Sequence, residues 1–207
     1  MKIKVCGMKD PDNIKELYQL PIDMMGMIFY EKSPRFVNRA YKIKIKEFNP
    51  SIQLTGVFVN ETIVNILRKV SEYNLDIVQL HGNESPNECK LLKENRIKVI
   101  KAFSIEKPED FNPCLLYEND CDYFLFDTKT SQYGGSGKKF DWQILSHYRG
   151  CTPFFLSGGI NAEDSYSLKE IKHSRFTGID LNSKFELSPG VKDINKLKNF
   201  ISNFKNE

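Results

Sequence analysis

Apolar positions fall along this chain in two alternating rhythms. Short, nearly unbroken apolar runs recur at IKVC (3–6), MMGMIF (24–29), TGVFV (55–59), DIVQL (76–80), KVIKAF (98–103), DYFLFD (122–127), PFFLS (153–157) and FTGID (176–180). Runs of this length with little polar alternation suit parallel strands covered on both faces. Between them the spacing lengthens to a helical period. Ile63, Ile66, Leu67 and Val70 stand at i, i+3, i+4 and i+7, and Ile194, Leu197, Ile201 and Phe204 form a second stripe near the end. Asp10 followed by Pro11 predicts a helix start, and Asn161 and Asp193 are candidate caps of later helices. A further helix is expected around 38–48, where the pattern is weakest.

Alternating strand and helix units predict a parallel sheet with right-handed crossovers. Eight units in 207 residues leave about 26 residues each, close to the minimum for a closed eight-stranded barrel. The expected architecture is therefore a compact, single-domain (β/α)8 TIM barrel over residues 1–207. A doubly wound open α/β sheet is the alternative, because a count of strands does not prove closure.

Composition narrows the function classes. An apolar fraction of 40% and a charged fraction of 28% are ordinary for a globular protein. A net charge of +3 is too small to argue for nucleic acid, and the densest basic run, KIKIKEF (42–48), alternates with isoleucine as a solvated face does. The start, MKIKVCG, lacks the apolar core of a secretory signal, and no run approaches the roughly 18 apolar residues of a membrane span. Five scattered cysteines (6, 89, 114, 121 and 151) include no CxxC pair, which disfavours a disulfide framework or a zinc site and predicts free thiols in a reducing cytoplasm.

In a (β/α)8 barrel the chemistry sits at the C-terminal ends of the strands. Cys6 ends the first run, Arg35 follows the second and Asn60 the third. Gln79 and His81 close the fourth, Lys101 lies within the fifth, Asp127 ends the sixth, Ser157-Gly158-Gly159 the seventh and Asp180 the eighth. Each has a plain alternative. Alone, Cys6 is more often a small buried hydrophobe, and Asp127 can be a turn residue or cap, His81 a turn histidine and Arg35 a surface arginine; only together do they point to a site. The glycine segments GGSGK (134–138) and SGGI (157–160) free backbone N–H groups to face an anion. SGGI runs into an expected helix start, and with DLNSKFE (180–186) it occupies the seventh and eighth loops, where such barrels bind phosphate. GGSGK alone reads equally as a flexible loop. It is not a Walker A motif, since Lys139 stands where Ser or Thr is needed and Gln132 where the first Gly is needed. No GxGxxG follows the first strand, so a dinucleotide fingerprint is absent.

The segments KVCGMKDPDN, IFYEKSPRFV, GVFVN, VQLHGNES, IKAF, FLFDT, GGSGKKFDW, FLSGGIN and LSPGVKD follow one another in an order that resembles the phosphoribosylanthranilate isomerase family over nearly the whole chain. The resemblance implies a (β/α)8 barrel that needs neither cofactor nor metal. It implies an Amadori rearrangement of N-(5-phosphoribosyl)anthranilate to 1-(2-carboxyphenylamino)-1-deoxyribulose 5-phosphate, a step of tryptophan biosynthesis. It casts Cys6 as general base, Asp127 as general acid and Arg35 as the partner of the anthranilate carboxylate. It assigns Gly135, Gly137, Gly158 and Gly159 to the phosphate loops, with Asp180, Ser183 and Lys184 beside them and His81 in support. The chemistry then asks for a raised aspartate pKa and a lowered cysteine pKa, and Gly7 is expected to leave room for substrate. The implied partner is this small molecule alone, without nucleic acid or membrane, on a cytoplasmic monomer or homodimer.

One segment departs from the family pattern. Asp-Val-Ser-Ser-Gly-Val-Glu becomes DLNSKFE, with Lys184 and Phe185 in place of Gly and Val. Either Lys184 strains a backbone that wants positive φ, or its ammonium serves the phosphate directly; phosphate binding is expected to survive with changed geometry. Two other readings stand beside the isomerase. The histidine-pathway aminoaldose isomerase generally has an aspartate where Cys6 stands and a second phosphate site. A turnover-deficient phosphosugar-binding or regulatory barrel is suggested only by the altered loop.

Overall fold

The computed structural model describes residues 1–38, 49–128 and 140–205. The helix expected around 38–48 falls almost wholly outside them, as do Gly135 and Gly137. Eight parallel strands form a closed barrel in chain order: β1 (Lys2–Val5), β2 (Met24–Ile28), β3 (Gln53–Phe58), β4 (Ile77–Leu80), β5 (Lys98–Ile105), β6 (Tyr123–Thr128), β7 (Phe154–Leu156) and β8 (Phe176–Leu181). β1 pairs with β2 on one side and with β8 on the other, which rules out the open sheet. Every expected run overlaps its strand, with ends displaced by no more than two residues.

Side-chain parity divides the barrel. Met24, Ile77, Ile100, Ala102, Leu125 and Phe155 point inward and form a small interior core. Their neighbours, among them Ile3, Val5, Val78, Leu80, Phe124, Phe126, Ile179 and Leu181, point outward into the larger core beneath the helices. Successive side chains on a strand face opposite sides, so both layers come from one apolar run. The N-terminal end is tied by a repeated device. Asp23, Asp76 and Asp122 each precede an even-numbered strand and accept the backbone N–H of Ile3, Leu54 and Val99 at 2.8, 2.9 and 2.8 Å. Each returns its own N–H to the carbonyl of that same residue.

The helices start where side chains satisfy their free N–H groups. α1 (Pro11–Leu17) is capped by Asp10, which accepts from Asn13 N at 2.8 Å, with Pro11 in the first turn. α2 (Ile63–Tyr73) starts at Thr62 and stops at Asn74, whose φ of 51° is left-handed. α3 (Pro86–Glu94) carries a reciprocal capping box between Ser85 and Glu88. α5 (Ile194–Lys205) follows Asp193, which accepts from Lys196 N at 2.9 Å.

The second half of the ring departs from regular helix. After β5 and β6 the connections are 3-10 helical, at Pro108–Tyr117 and Trp142–His147. Pro113 sits inside the first, where it lacks the N–H that an α-helix requires. After β7 a three-residue 3-10 turn (Ala162–Asp164) leads into the short α4 (Ser165–Lys169). Aromatic packing covers the barrel where these elements are short: Phe126 lies 5.0 Å from Phe111, 5.1 Å from Tyr148 and 4.7 Å from Phe154 between ring centroids. An antiparallel pair, β9 (Glu186–Ser188) and β10 (Val191–Lys192), follows β8 and is absent from the expected elements.

Candidate active site

Cys6 stands one residue beyond β1 and donates its N–H to Leu181 O of β8 at 2.9 Å. It shares inward parity with Lys4, two residues earlier. Lys4 is fully enclosed and places its Nζ 2.9 Å from Asp180 Oδ1, its register partner on β8. On the other side Gly26 of β2 lies under the thiol, since a Cβ there would be 2.7 Å from Cys6 Sγ. Burial pushes the Cys6 thiol up. Lys4 and Lys192 pull it down and Asp180 adds to the rise, with a net upward direction. The sequence reading asked for a lowered value; the cations it required are present, but desolvation outweighs them. Burial also raises Asp180 against the pull of Lys4, with Asp127 adding to the rise. Lys4 loses to burial but gains more from Asp180 and Cys6, and ends raised.

A second charged cluster lies behind this pair. Arg35 donates to Glu186 through Nε at 2.9 Å and Nη2 at 2.6 Å. Lys192 donates to Glu186 Oε1 at 2.7 Å and to Asn182 Oδ1 at 2.7 Å. Burial alone would raise the Glu186 carboxyl, but Arg35 and Lys192 together hold it below its ordinary value. Burial lowers Lys192 against the pull of Glu186. The β9–β10 hairpin therefore delivers both Glu186 and Lys192 to the mouth. Arg35 is a buried ion-pair partner rather than a surface arginine. Gly7 also reads differently: at φ 80° its missing Cβ leaves space for Arg35 Cδ and Asn182 Oδ1, each 2.7 Å from where a Cβ would sit. That space is filled by the protein's own side chains rather than kept for substrate.

Across the barrel, Asp127 ends the inward positions of β6. Its Oδ1 accepts from Thr128 N at 2.8 Å, and its Oδ2 lies 3.4 Å from His81 Nε2. Gln79, inward on β4, lies 2.9 Å from His81 Nδ1 through its Nε2. With the amide nitrogen turned this way Nδ1 accepts, so a neutral ring carries its hydrogen on Nε2, facing Asp127. Gly158 backs onto the same carboxylate: a Cβ there would sit 2.8 Å from Asp127 Oδ1 and against Thr128.

Gly158 and Gly159 hold φ of 88° and 65°, the conformation that the SGGI reading requires. Asn161 caps the turn that follows, accepting from Glu163 N at 3.0 Å. Ser183 and Lys184 form a 3-10 turn with Phe185. Lys184 is exposed, and the positive-φ residues other than glycine among the described residues are Asn60, Asn74 and Arg96. The expected strain at Lys184 is therefore not present, because the turn is built from right-handed backbone. Phe185 is buried against Phe200, with ring centroids 5.1 Å apart.

Two residues from the strand ends belong elsewhere. Lys101 has outward parity and meets Gly82 O at 2.8 Å and Glu84 Oε2 at 3.2 Å. Asn60 donates its N–H to Glu84 at 2.8 Å and accepts from Asn83 N at 2.7 Å. Both brace the loops after β3 and β4. The sequence reading gave no role to Lys4, Asn182, Glu186 or Lys192. Lys192 lay inside LSPGVKD, Asn182 and Glu186 inside DLNSKFE and Lys4 inside the IKVC run, where none of them was singled out. Among the described residues no group of three or more His, Cys, Asp and Glu side chains is arranged to hold a metal ion, and no helix is long and apolar enough to cross a membrane.

Comparison with known proteins agrees with this geometry. The family model described as N-(5'-phosphoribosyl)anthranilate isomerase matches residues 3–203. A protein of that name from Parabacteroides distasonis is 53% identical over 205 residues, covering 97% of this chain and 92% of its own. The crystal structure of phosphoribosyl anthranilate isomerase from Thermotoga maritima superposes with a TM-score of 0.87 at 36% identity, covering 99% of this chain and 98% of that one. A further structure of such an isomerase, in complex with reduced 1-(o-carboxyphenylamino)-1-deoxyribulose 5-phosphate, has a TM-score of 0.83 at 33% identity and the same coverage.

Proposed function

The chain belongs to the N-(5'-phosphoribosyl)anthranilate isomerase family, and from that premise we propose that it isomerises N-(5-phosphoribosyl)anthranilate as a single catalytic domain, with Asp127 as general acid and Cys6 as general base. Asp127 gives its proton to the ribose ring oxygen as the bond from that oxygen to C1 breaks. The nitrogen lone pair forms the C1=N iminium, which acidifies the hydrogen on C2. The Cys6 thiolate takes that hydrogen as a proton. The C–H electron pair becomes the C1=C2 bond, and the iminium pair returns to nitrogen. The resulting enolamine tautomerises to the aminoketone, with a proton added at C1 and the C2 hydroxyl becoming the carbonyl.

The observation that supports this reading is a thiol and a carboxylate on inward positions at the mouth. Cys6 lies above Lys4 and Asp180, and Asp127 faces His81. Gly158 and Gly159 offer their backbone to the 5-phosphate, with Ser183 and Lys184 in the turn that follows neighbouring β8. Arg35 is assigned to the anthranilate carboxylate, held beside the mouth by Glu186. Five unpaired thiols, four of them buried, fit a reducing cytoplasm, and the working unit is a monomer or homodimer.

Positioned acid–base groups contribute about 10²–10⁴-fold each. Loss of phosphoribosylanthranilate fluorescence is expected with the purified chain, and Cys6→Ala and Asp127→Asn are each expected to slow it by a factor in that range. Full turnover by Cys6→Ala would overturn the assignment of the base.

A further inference from the structure

We propose that Lys4 is a positioning residue for Cys6, its ammonium holding the sulfur's negative charge so that Cys6 meets the ribose C2 hydrogen as a base; this rests on the role given to Cys6 above. Geometry carries the proposal. Lys4 lies in β1 and Cys6 one residue past its end, two positions on, so the extended backbone turns both side chains to the same side. Asp180 fixes the ammonium from β8 at 2.9 Å, and both groups are buried. Gly26 holds the sulfur from β2, because any larger residue would collide with it.

The charged groups around the thiol leave a surplus for it to neutralise. Lys4 faces it from β1, Asp180 from β8 and Lys192 from β10, with Glu186 and Arg35 behind Lys192. Asp127 and His81 act on Asp180 from the far side. Two cations and one carboxylate, Lys4, Lys192 and Asp180, thus act directly on Cys6. Burial and Asp180 oppose ionisation of the thiol, so the thiolate that the reaction needs depends on Lys4 and Lys192 for its compensation. Lys192 is less available than Lys4, since two oxygens at 2.7 Å already hold its Nζ. Asp180 supplies the oxygen contact of Lys4, which leaves ammonium hydrogens for the sulfur.

The test follows the alkylation of Cys6 by iodoacetamide against pH, read by peptide mass spectrometry so that exposed Cys151 does not contribute. In Lys4→Met the midpoint should rise by about one pH unit or more, a tenfold loss of thiolate below it. Asp180→Asn should lower it. The Lys4→Met/Asp180→Asn double variant, which strands no buried carboxylate, should fall between wild type and Lys4→Met. Lys4→Arg should stay near wild type. If Cys6 resists the reagent, the acid limb of kcat/KM must follow the same order. A midpoint unchanged in Lys4→Met overturns the proposal, and so does an unchanged double variant if the single one fails to fold. Turnover by wild type is scored separately: a chain with the expected alkylation order but no isomerisation overturns the proposed function and leaves the Lys4–Cys6 coupling standing.

Discussion

Lys4 and Lys101 are both lysines in barrel strands, and both are almost wholly enclosed, at 0% and 3% exposure. They serve different ends. Lys101 points outward and is surrounded by oxygen: Gly82 O at 2.8 Å, Ala102 O and Glu84 Oε2 at 3.2 Å, and Leu80 O at 3.4 Å. Lys4 points inward, holds one carboxylate and lies beside a thiol. An ammonium saturated by oxygens has no donor left for chemistry and acts as a brace. An ammonium with donors to spare beside an ionisable group responds to that group's charge. Strand parity, not residue type, separates the two.

The comparison breaks most visibly at Lys101. Lys101→Met leaves Glu84 buried without its cation, and breaking a buried pair in this way costs about 3–5 kcal/mol. Thermal unfolding should then fall by roughly 6–20 °C for a chain of this size, while the pH midpoint of Cys6 stays at its wild-type value. An unchanged melting temperature would erase the distinction between brace and site.

Gly158→Ala tests the acid side. Its φ of 88° and the collision with Asp127 Oδ1 and Thr128 force the ends of β6 and β7 apart. Displacing a reacting group by about 1 Å costs on the order of 10²-fold, so kcat/KM should fall by that much under conditions where circular dichroism shows the fold intact. Activity within twofold of wild type would show that Asp127 needs no support from this side.

The Glu186 clasp gives a pH signature. Its carboxyl is held below the ordinary value by Arg35 and Lys192 in spite of burial. A lowered folded value means that the carboxylate stabilises the fold fully above the unfolded value of about 4.3, and that this contribution is lost as pH falls through the folded value. Urea unfolding of wild type and Glu186→Gln should therefore differ by about 1.5–3 kcal/mol at pH 6, with the gap closing below pH 4. A gap independent of pH would mean that the hairpin holds by shape alone.

The smallest effect is expected at Lys184. It is exposed and has no positive φ to relieve, so Lys184→Gly should not stabilise the protein. If Lys184 serves the proposed phosphate site, loss of this exposed charge is worth about 1 kcal/mol or less, so KM should rise by no more than about fivefold. A fall in KM would return the strain that the backbone does not show.

Much of this molecule is legible without coordinates. The eight apolar runs, the caps at Asp10, Asn161 and Asp193, and the positive-φ glycines of SGGI all follow from local chemistry: burial on two faces, unsatisfied helix N–H groups, and the missing Cβ of glycine. The sequence also marks Cys6, Asp127 and Arg35 as strand-end groups. It does not show closure, because a strand's pairing with a neighbour 176 residues away, as Lys4 pairs with Asp180, depends on where the whole ring turns back. Pro113 marks the first 3-10 connection, but the sequence does not show that Phe111 and Phe154 pack on Phe126 around it. The order of residues by itself determined which side chains share a face of each strand and, to within two residues, where each strand lies. Only the tertiary structure decided which buried charges meet, that Glu186 would hold Arg35 and Lys192 together, and that burial would outweigh two cations at Cys6. Parity is a property of one strand, whereas desolvation and charge pairing depend on everything packed around it.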